Sequence, residues 1–234
     1  MSPTPAPLVL LAHGTADERG QAVVYGVAEA VSRRLPATEV VVGFVDVCTP
    51  GADEALARQS DTRAVVVPYL LTTGYHVRHD IPAAVERRGG DVGLTPALGV
   101  TPEVVQALCD RWAEAVTGPG GVGGDQIDAV VVAGAGSSDA GARREVMCLA
   151  ALVAASLSLP TRAGFLSGAG PSAASCVSEL RRSGAQGVAV LPALLAPGFF
   201  VAKAGRLGAD VVAPALGVHS ALVDLVVRRY REAS

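Results

Sequence analysis

Apolar positions along this chain fall into two alternating patterns. Residues 8–12, 40–45, 64–70 and 92–97 are short runs, rich in Val and Leu, that stay apolar at nearly every position. Strands of a parallel sheet covered on both faces read this way. Between the first two runs, Val24, Val27, Ala28, Val31 and Leu35 recur at helical spacing, with Arg33 and Arg34 in the last turn, where cations suit the helix dipole. After the fourth run, Thr101 is placed as an N-cap, with Pro102 at the first helical position and Glu103 beside it. The second half repeats the alternation. Strands are expected at 129–133, 161–166, 188–194 and 211–213, and helices at 140–156, 172–183 and 220–231, with another after Phe200. This order predicts an α/β fold of doubly wound parallel sheets with right-handed crossovers.

The two halves also resemble each other residue by residue. Val9-Leu10-Leu11-Ala12-His13-Gly14-Thr15 is echoed by Val131-Val132-Ala133-Gly134-Ala135-Gly136-Ser137. Pro68, Leu70-Leu71 and Gly74-Tyr75-His76 are echoed by Pro192, Leu194-Leu195 and Gly198-Phe199-Phe200, and Pro96-Ala97-Leu98-Gly99-Val100 by Pro214-Ala215-Leu216-Gly217-Val218. A period of half the chain implies two similar domains, since solenoid repeats run roughly 20–50 residues. The expected domains are 7–116 and 126–234. The Gly-rich stretch 117–125 between them reads as a flexible linker holding neither helix nor strand. Against this echo, His13 and His76 give way to Gly134 and Phe200, so one half is equipped for chemistry and the other is its degenerate partner.

Composition narrows the classes. Hydrophobic residues make up 50% of the chain and charged residues 18%, enough apolar content for a core in each half and unlike a disordered segment. The net charge of −3 argues against nonspecific nucleic-acid binding, which needs a clustered basic surface. The four cysteines, Cys48, Cys109, Cys148 and Cys176, are widely spaced, fitting reduced thiols rather than a zinc or iron–sulfur site. No basic region precedes the first apolar run, and no stretch approaches the ~18 apolar residues of a membrane span. A cytoplasmic protein with no membrane partner is expected.

Ligands of open parallel sheets bind beyond the carboxyl ends of the strands. His13 follows the first strand, Asp46 the second, and His76 lies in the loop after the third. Two imidazoles and a carboxylate at one rim are able to bind a divalent metal or shuttle protons. Gly134-Ala135-Gly136-Ser137-Ser138-Asp139 follows a strand and opens a helix, but lacks the third glycine of a dinucleotide fingerprint. Its amides are a candidate anion contact. No phosphate-binding Gly-x-x-x-x-Gly-Lys loop exists, and Gly136-x-Ser138-x-Ala140 misses the nucleophile elbow at its last position. His79 is expected near a helix start, as a surface residue or an assistant to His76, and His219 at a helix start outside the site.

Leu11-Ala12-His13-Gly14-Thr15, with Asp17 and Arg19-Gly20-Gln21, resembles the opening motif of the sirohydrochlorin chelatases, or class II chelatases. Gly74-Tyr75-His76-Val77-Arg78-His79-Asp80-Ile81-Pro82 is similar to their second motif, and Phe44-Val45-Asp46 with Pro50 to the segment that presents an acid, where members commonly carry Glu. The resemblance implies two tandem flavodoxin-like domains, each with about four strands, in a monomer with pseudo-two-fold symmetry. It implies insertion of a divalent metal, Fe²⁺ above all, into sirohydrochlorin to form sirohaem. Cobalt insertion for corrinoid synthesis and a non-catalytic divalent-metal carrier are the alternatives. By the same resemblance, His13 and His76 handle the metal and Asp46 joins them in catalysis. The metal is a substrate, and no tightly bound cofactor is implied. Arg19, Arg78, Thr73, Gly74, Gly136 and Ser137 are the candidates for the acetate and propionate arms of the tetrapyrrole, because guanidinium groups and backbone amides suit carboxylates.

Overall fold

Two four-stranded parallel sheets form in this computed structural model, which describes residues 5–59, 63–118, 121 and 123–234. The first holds β1 (Leu8–Ala12), β2 (Val40–Phe44), β3 (Ala64–Tyr69) and β4 (Val92–Leu94), in the order β2-β1-β3-β4. The second holds β5 (Ala129–Gly134), β6 (Thr161–Phe165), β7 (Val188–Ala193) and β8 (Val211–Val212), in the order β6-β5-β7-β8. Every residue of the inner strands β1, β3, β5 and β7 is buried, which is why they read as unbroken apolar runs. The outer strands β4 and β8 are shorter than their apolar stretches suggest. Thr95 N–H still bonds the Val66 carbonyl at 3.0 Å, and Ala213 N–H the Val190 carbonyl at 2.9 Å. Pro96 and Pro214 follow, and a residue without an N–H cannot extend the ladder.

The helices are α1 (Glu18–Arg34), α2 (Ala52–Ala57), α3 (Ile81–Arg88), α4 (Pro102–Thr117), α5 (Ala140–Leu157), α6 (Ala173–Arg182), α7 (Phe199–Ala204) and α8 (Ser220–Ala233). A single π turn, His76–Asp80, leads into α3. Asp17 caps α1 by accepting from Arg19 N–H, and Thr101 occupies the cap position of α4 without a capping bond from its hydroxyl. α2 and α3 seal one face of the first sheet, where Leu56, Ile81 and Ala84 pack with Val9, Leu11 and Val66. Among the described residues no helix is long and apolar enough to cross a membrane.

The compact units are not the repeats. One unit joins Met1–Gly99 to Val218–Ser234, and the other is Val100–Gly217. Helix α8, last in the chain, thus belongs to the first sheet, where it packs on α1 and β3. Its Tyr230 hydroxyl donates to the Ala6 carbonyl at 2.7 Å, and its Asp224 pairs with Arg34 of α1. Helix α4 belongs to the second sheet and packs on α5 and β7. There Arg111 donates twice to the Leu216 carbonyl, at 3.0 and 2.6 Å. Domains of 7–116 and 126–234 would have kept each last helix at home. Helical periodicity specifies an apolar face but not the sheet that covers it.

The segment 117–125 also differs from its expectation. Thr117 ends α4, Gly123 N–H returns to the Val116 carbonyl at 2.9 Å, and Gly124 with Asp125 opens a 3₁₀ turn, Gly124–Gln126. Pro119, Gly120 and Val122 of this stretch lie outside the described residues.

Candidate functional site

The chain leaves β1 for β2 on one side and reaches β3 on the other, so the switch point of the first sheet lies between β1 and β3. His13 stands immediately beyond β1. Its loop is fixed by backbone: Asp46 N–H donates to the His13 carbonyl at 3.0 Å. Gly14 has φ +96°, and a Cβ there would sit 2.0 Å from the Asp46 carbonyl oxygen. Only glycine allows so close an approach. Thr15 is tied to Cys48 twice, its N–H donating to Sγ at 3.1 Å and its carbonyl accepting from the thiol at 3.0 Å.

His76 arrives from the other side of the switch point. Gly74 N–H bonds the Thr72 carbonyl at 3.0 Å, and the chain then winds into the π turn that carries His76. The His13 and His76 rings meet edge to face, centroids 4.7 Å apart at 86°. His76 Nδ1–H donates to Asp80 Oδ2 at 2.6 Å. Exposed Tyr75 lies beside both His76 and His79, with centroids at 6.1 and 4.7 Å.

Of the three groups expected to converge, the structure brings two together. The exposed Asp46 carboxylate accepts from the next amide, Val47 N–H, at 2.8 Å, with Val47 held at φ +65°. No three His, Cys, Asp or Glu side chains among the described residues gather as a metal cage. The acid in contact with a histidine is Asp80, which sequence reasoning quoted in a motif but did not select. Its signal was the four-residue spacing from His76, which places two side chains on one helical face. Asp46 and Asp80 share a different feature: both line a cavity of about 510 Å³, together with Val47, Cys48, Asp53 and Arg87.

The expected anion contacts are mostly engaged within the protein. Arg19 forks onto Asp17 at 3.0 and 2.7 Å, and this bond holds the Asp17 carboxyl below the usual carboxylate range. Arg78 Nε–H donates to the Thr73 carbonyl at 3.1 Å. In the second unit, Ser137 Oγ accepts from Asp139 N–H at 3.0 Å and its carbonyl accepts from Arg143 at 2.7 Å. Gly136, at φ +112°, would place a Cβ 2.1 Å from the Ser167 carbonyl oxygen.

Strand register corrects one pairing of the repeats. Ala12 is opposite Phe44 and Gly134 is opposite Phe165, each the last residue of its strand. Gly134 therefore occupies the place of Ala12, and the residue at the place of His13 is Ala135. Phe200 does stand in the place of His76, and Ala204 in that of Asp80. His219, as expected, starts a helix: it caps α8, its buried Nδ1 accepting from Ala221 N–H at 3.2 Å.

The family profile described as CbiX matches residues 7–115 and 129–233. A sirohydrochlorin ferrochelatase of Bacillus subtilis (strain 168) is 25% identical over 209 residues, covering 85% of this chain and 77% of its own. A sirohydrochlorin cobaltochelatase of Sulfolobus acidocaldarius is 30% identical over 116 residues, covering 47% of this chain and 92% of its own. Among solved structures, SirB from Bacillus subtilis with Fe³⁺ has the same fold, with a TM-score of 0.79 at 23% identity over 98% of this chain and 95% of that one.

Proposed function

We propose, because this chain belongs to the CbiX family, that it inserts a divalent metal ion into sirohydrochlorin, and that the ion is Fe²⁺, giving sirohaem. The observation that carries the reading is the pair of imidazoles, His13 and His76, held ring against ring at the switch point of one sheet. A free-base tetrapyrrole loses two pyrrolic protons as the metal enters, while the metal sheds water. Neutral imidazoles suit both tasks, binding a divalent ion transiently and accepting protons near neutral pH. Two imidazoles without a thiolate cage hold the ion loosely enough to pass it on.

In this reading the metal is a substrate, taken up by His13 and His76. Asp46 acts from the rim of the adjoining cavity rather than as a third ligand. Arg78 meets a substrate carboxylate with its exposed guanidinium. Arg19 does so only after leaving Asp17. Gly74, Thr73, Gly136 and Ser137 contribute the backbone shape of the two loops. The protein acts as a cytoplasmic monomer, since one chain carries both repeats. Similarity to a sirohydrochlorin ferrochelatase along 85% of this chain supports the reading of iron.

The test is anaerobic incubation of the purified protein with sirohydrochlorin and Fe²⁺, Co²⁺ or Ni²⁺, followed by absorbance. Conversion with Fe²⁺ at the highest rate is expected. Faster conversion with Co²⁺ would reassign the metal, and no spectral change with any ion would overturn the chelatase reading.

A further inference from the structure

Asp80 occupies the N-cap position of α3, yet its carboxylate makes no capping bond. It turns back one helical turn and accepts from His76 Nδ1 at 2.6 Å. A carboxylate accepts and does not donate, so the proton on this bond belongs to the imidazole. His76 is therefore fixed as the Nδ1–H tautomer, with the lone pair on Nε2. His13 makes the weaker version of the same arrangement: its Nδ1–H donates at 3.2 Å to the carbonyl of its own neighbour, Gly14. A charged acceptor gives the shorter and stronger bond. It also raises the basicity of the other ring nitrogen toward a metal.

The second repeat differs at the same place in the chain. Its α7, Phe199–Ala204, stands where the π turn stands in the first repeat, and the described residues between α7 and β8 form no helix in the place of α3. There the histidine has become Phe200 and the acid has become Ala204, which is fully buried. The short helix α7 forms with neither the imidazole nor the carboxylate. A helical turn at this position thus does not require the carboxylate.

Resting on the reading of His13 and His76 as the metal-handling pair, we propose that Asp80 is a positioning residue that makes the two histidines unequal. It locks His76 as the firmer donor through Nε2, leaving His13 as the looser one. The ion is gripped at His76 and leaves His13 first on its way to the macrocycle.

The test is nitrogen-15 NMR of the histidine side chains in the full-length protein, above the imidazole titration range, paired with titration of Co²⁺ alone. Only His13, His76, His79 and His219 contribute signals. His219 serves as an internal reference of opposite tautomer, because its Nδ1 accepts a bond. The wild-type protein should show His76 protonated on Nδ1. In Asp80→Ala, His76 should move to a mixture of tautomers and Co²⁺ should bind about 10–100-fold more weakly, with His219 and the circular dichroism unchanged. Asp80→Asn keeps an acceptor, so it should keep the tautomer and lose less affinity. A wild-type His76 protonated on Nε2, or an Asp80→Ala protein with unaltered tautomer and Co²⁺ affinity, would overturn the proposal even if the enzyme makes sirohaem. The expected tautomer change in a protein that inserts no metal would instead uphold the positioning role and overturn the functional reading.

Discussion

The two strand rims share a backbone and differ in side chains. Gly14 and Gly136 both take positive φ and both press against a carbonyl of the neighbouring loop. Thr15 Oγ1 accepts from Asp17 N–H at 3.2 Å, as Ser137 Oγ does from Asp139 N–H at 3.0 Å. Gln21 reaches the Thr15 carbonyl at 2.9 Å where Arg143 reaches that of Ser137 at 2.7 Å. Phe44 N–H bonds Pro50 and Phe165 N–H bonds Pro171, at 3.0 and 2.9 Å. Against this common frame, His13, His76 and Asp80 are replaced by Ala135, Phe200 and Ala204. The loop geometry belongs to the fold and survives without the imidazoles. The chemistry is an overlay that one rim carries and the other does not.

The sharpest way to break that contrast is to remove the overlay. His13→Ala and His76→Ala should each lower metal insertion by about 100-fold or more, in rate assays with sirohydrochlorin. Their thermal midpoints should barely move, because both side chains sit on a rim where truncation leaves no core cavity. Phe200→Ala should do the reverse, since Phe200 packs against the core of the second sheet. Equal activity losses at His76 and Phe200 would erase the asymmetry.

Exchanging the acids gives the next largest effect. Ala204→Asp puts a carboxylate into a fully buried position and should destabilise the protein on the order of 3 kcal/mol by denaturant titration. The reciprocal Asp80→Ala should cost less than about 1 kcal/mol, being partly exposed and on a helix.

A smaller difference concerns backbone strain. Val47, at φ +65° and exposed, stands where the second rim has Gly168 at φ +71°. A β-branched residue is strained in this region, so Val47→Gly should raise unfolding stability by up to about 1 kcal/mol, less the extra chain entropy of glycine. A loss of stability would show that the loop is held by Val47 rather than in spite of it.

The smallest effect expected is a difference in acid sensitivity. Asp128 accepts from Gln186 and Gly187 N–H at 2.9 and 3.1 Å, and Asp210 from Val188 N–H at 2.7 Å and Arg181 at 2.9 Å. Backbone hydrogen bonds hold both carboxyls below the usual range. A carboxyl lowered on folding stabilises fully above its unfolded value, ~3.9, and the benefit is lost as pH falls through the lowered folded value. Both clamps lie at the amino end of β7, whereas the lowered carboxyl of the first unit, Asp17, is held chiefly by the exposed Arg19 side chain, so the second unit should loosen first in acid. Trp112, the single tryptophan, lies in that unit, and its fluorescence should change before the overall circular dichroism does.

How far the sequence reached depended on what each pattern encodes. Inner strands were legible to within a residue because burial on both faces leaves an unbroken apolar run, as in β1 and β5. The outer strands were overrun because Val and Leu near Thr95 look the same whether or not a proline ends the ladder. His13 and His76 were found from their places after strands. Asp80 was passed over because a bond across one helical turn looks like any acid at a helix start. The swap of α4 and α8 had no local signal at all.

That swap bears on the order in which the molecule can be made. A nascent chain leaving the ribosome completes the contiguous unit Val100–Gly217 before it has made α8, so the unit that is second in sequence is the first able to close. The first sheet waits with a face uncovered. Leu222, Val223, Leu225, Val226, Val227 and Tyr230 of α8 are buried on folding, and large apolar side chains are worth roughly 1.5–3 kcal/mol each when fully buried. Losing them would remove about as much as the whole stability of a typical domain. A premature stop ahead of Val218 would yield a polypeptide that contains His13, His76 and Asp80 and has no finished sheet to hold them.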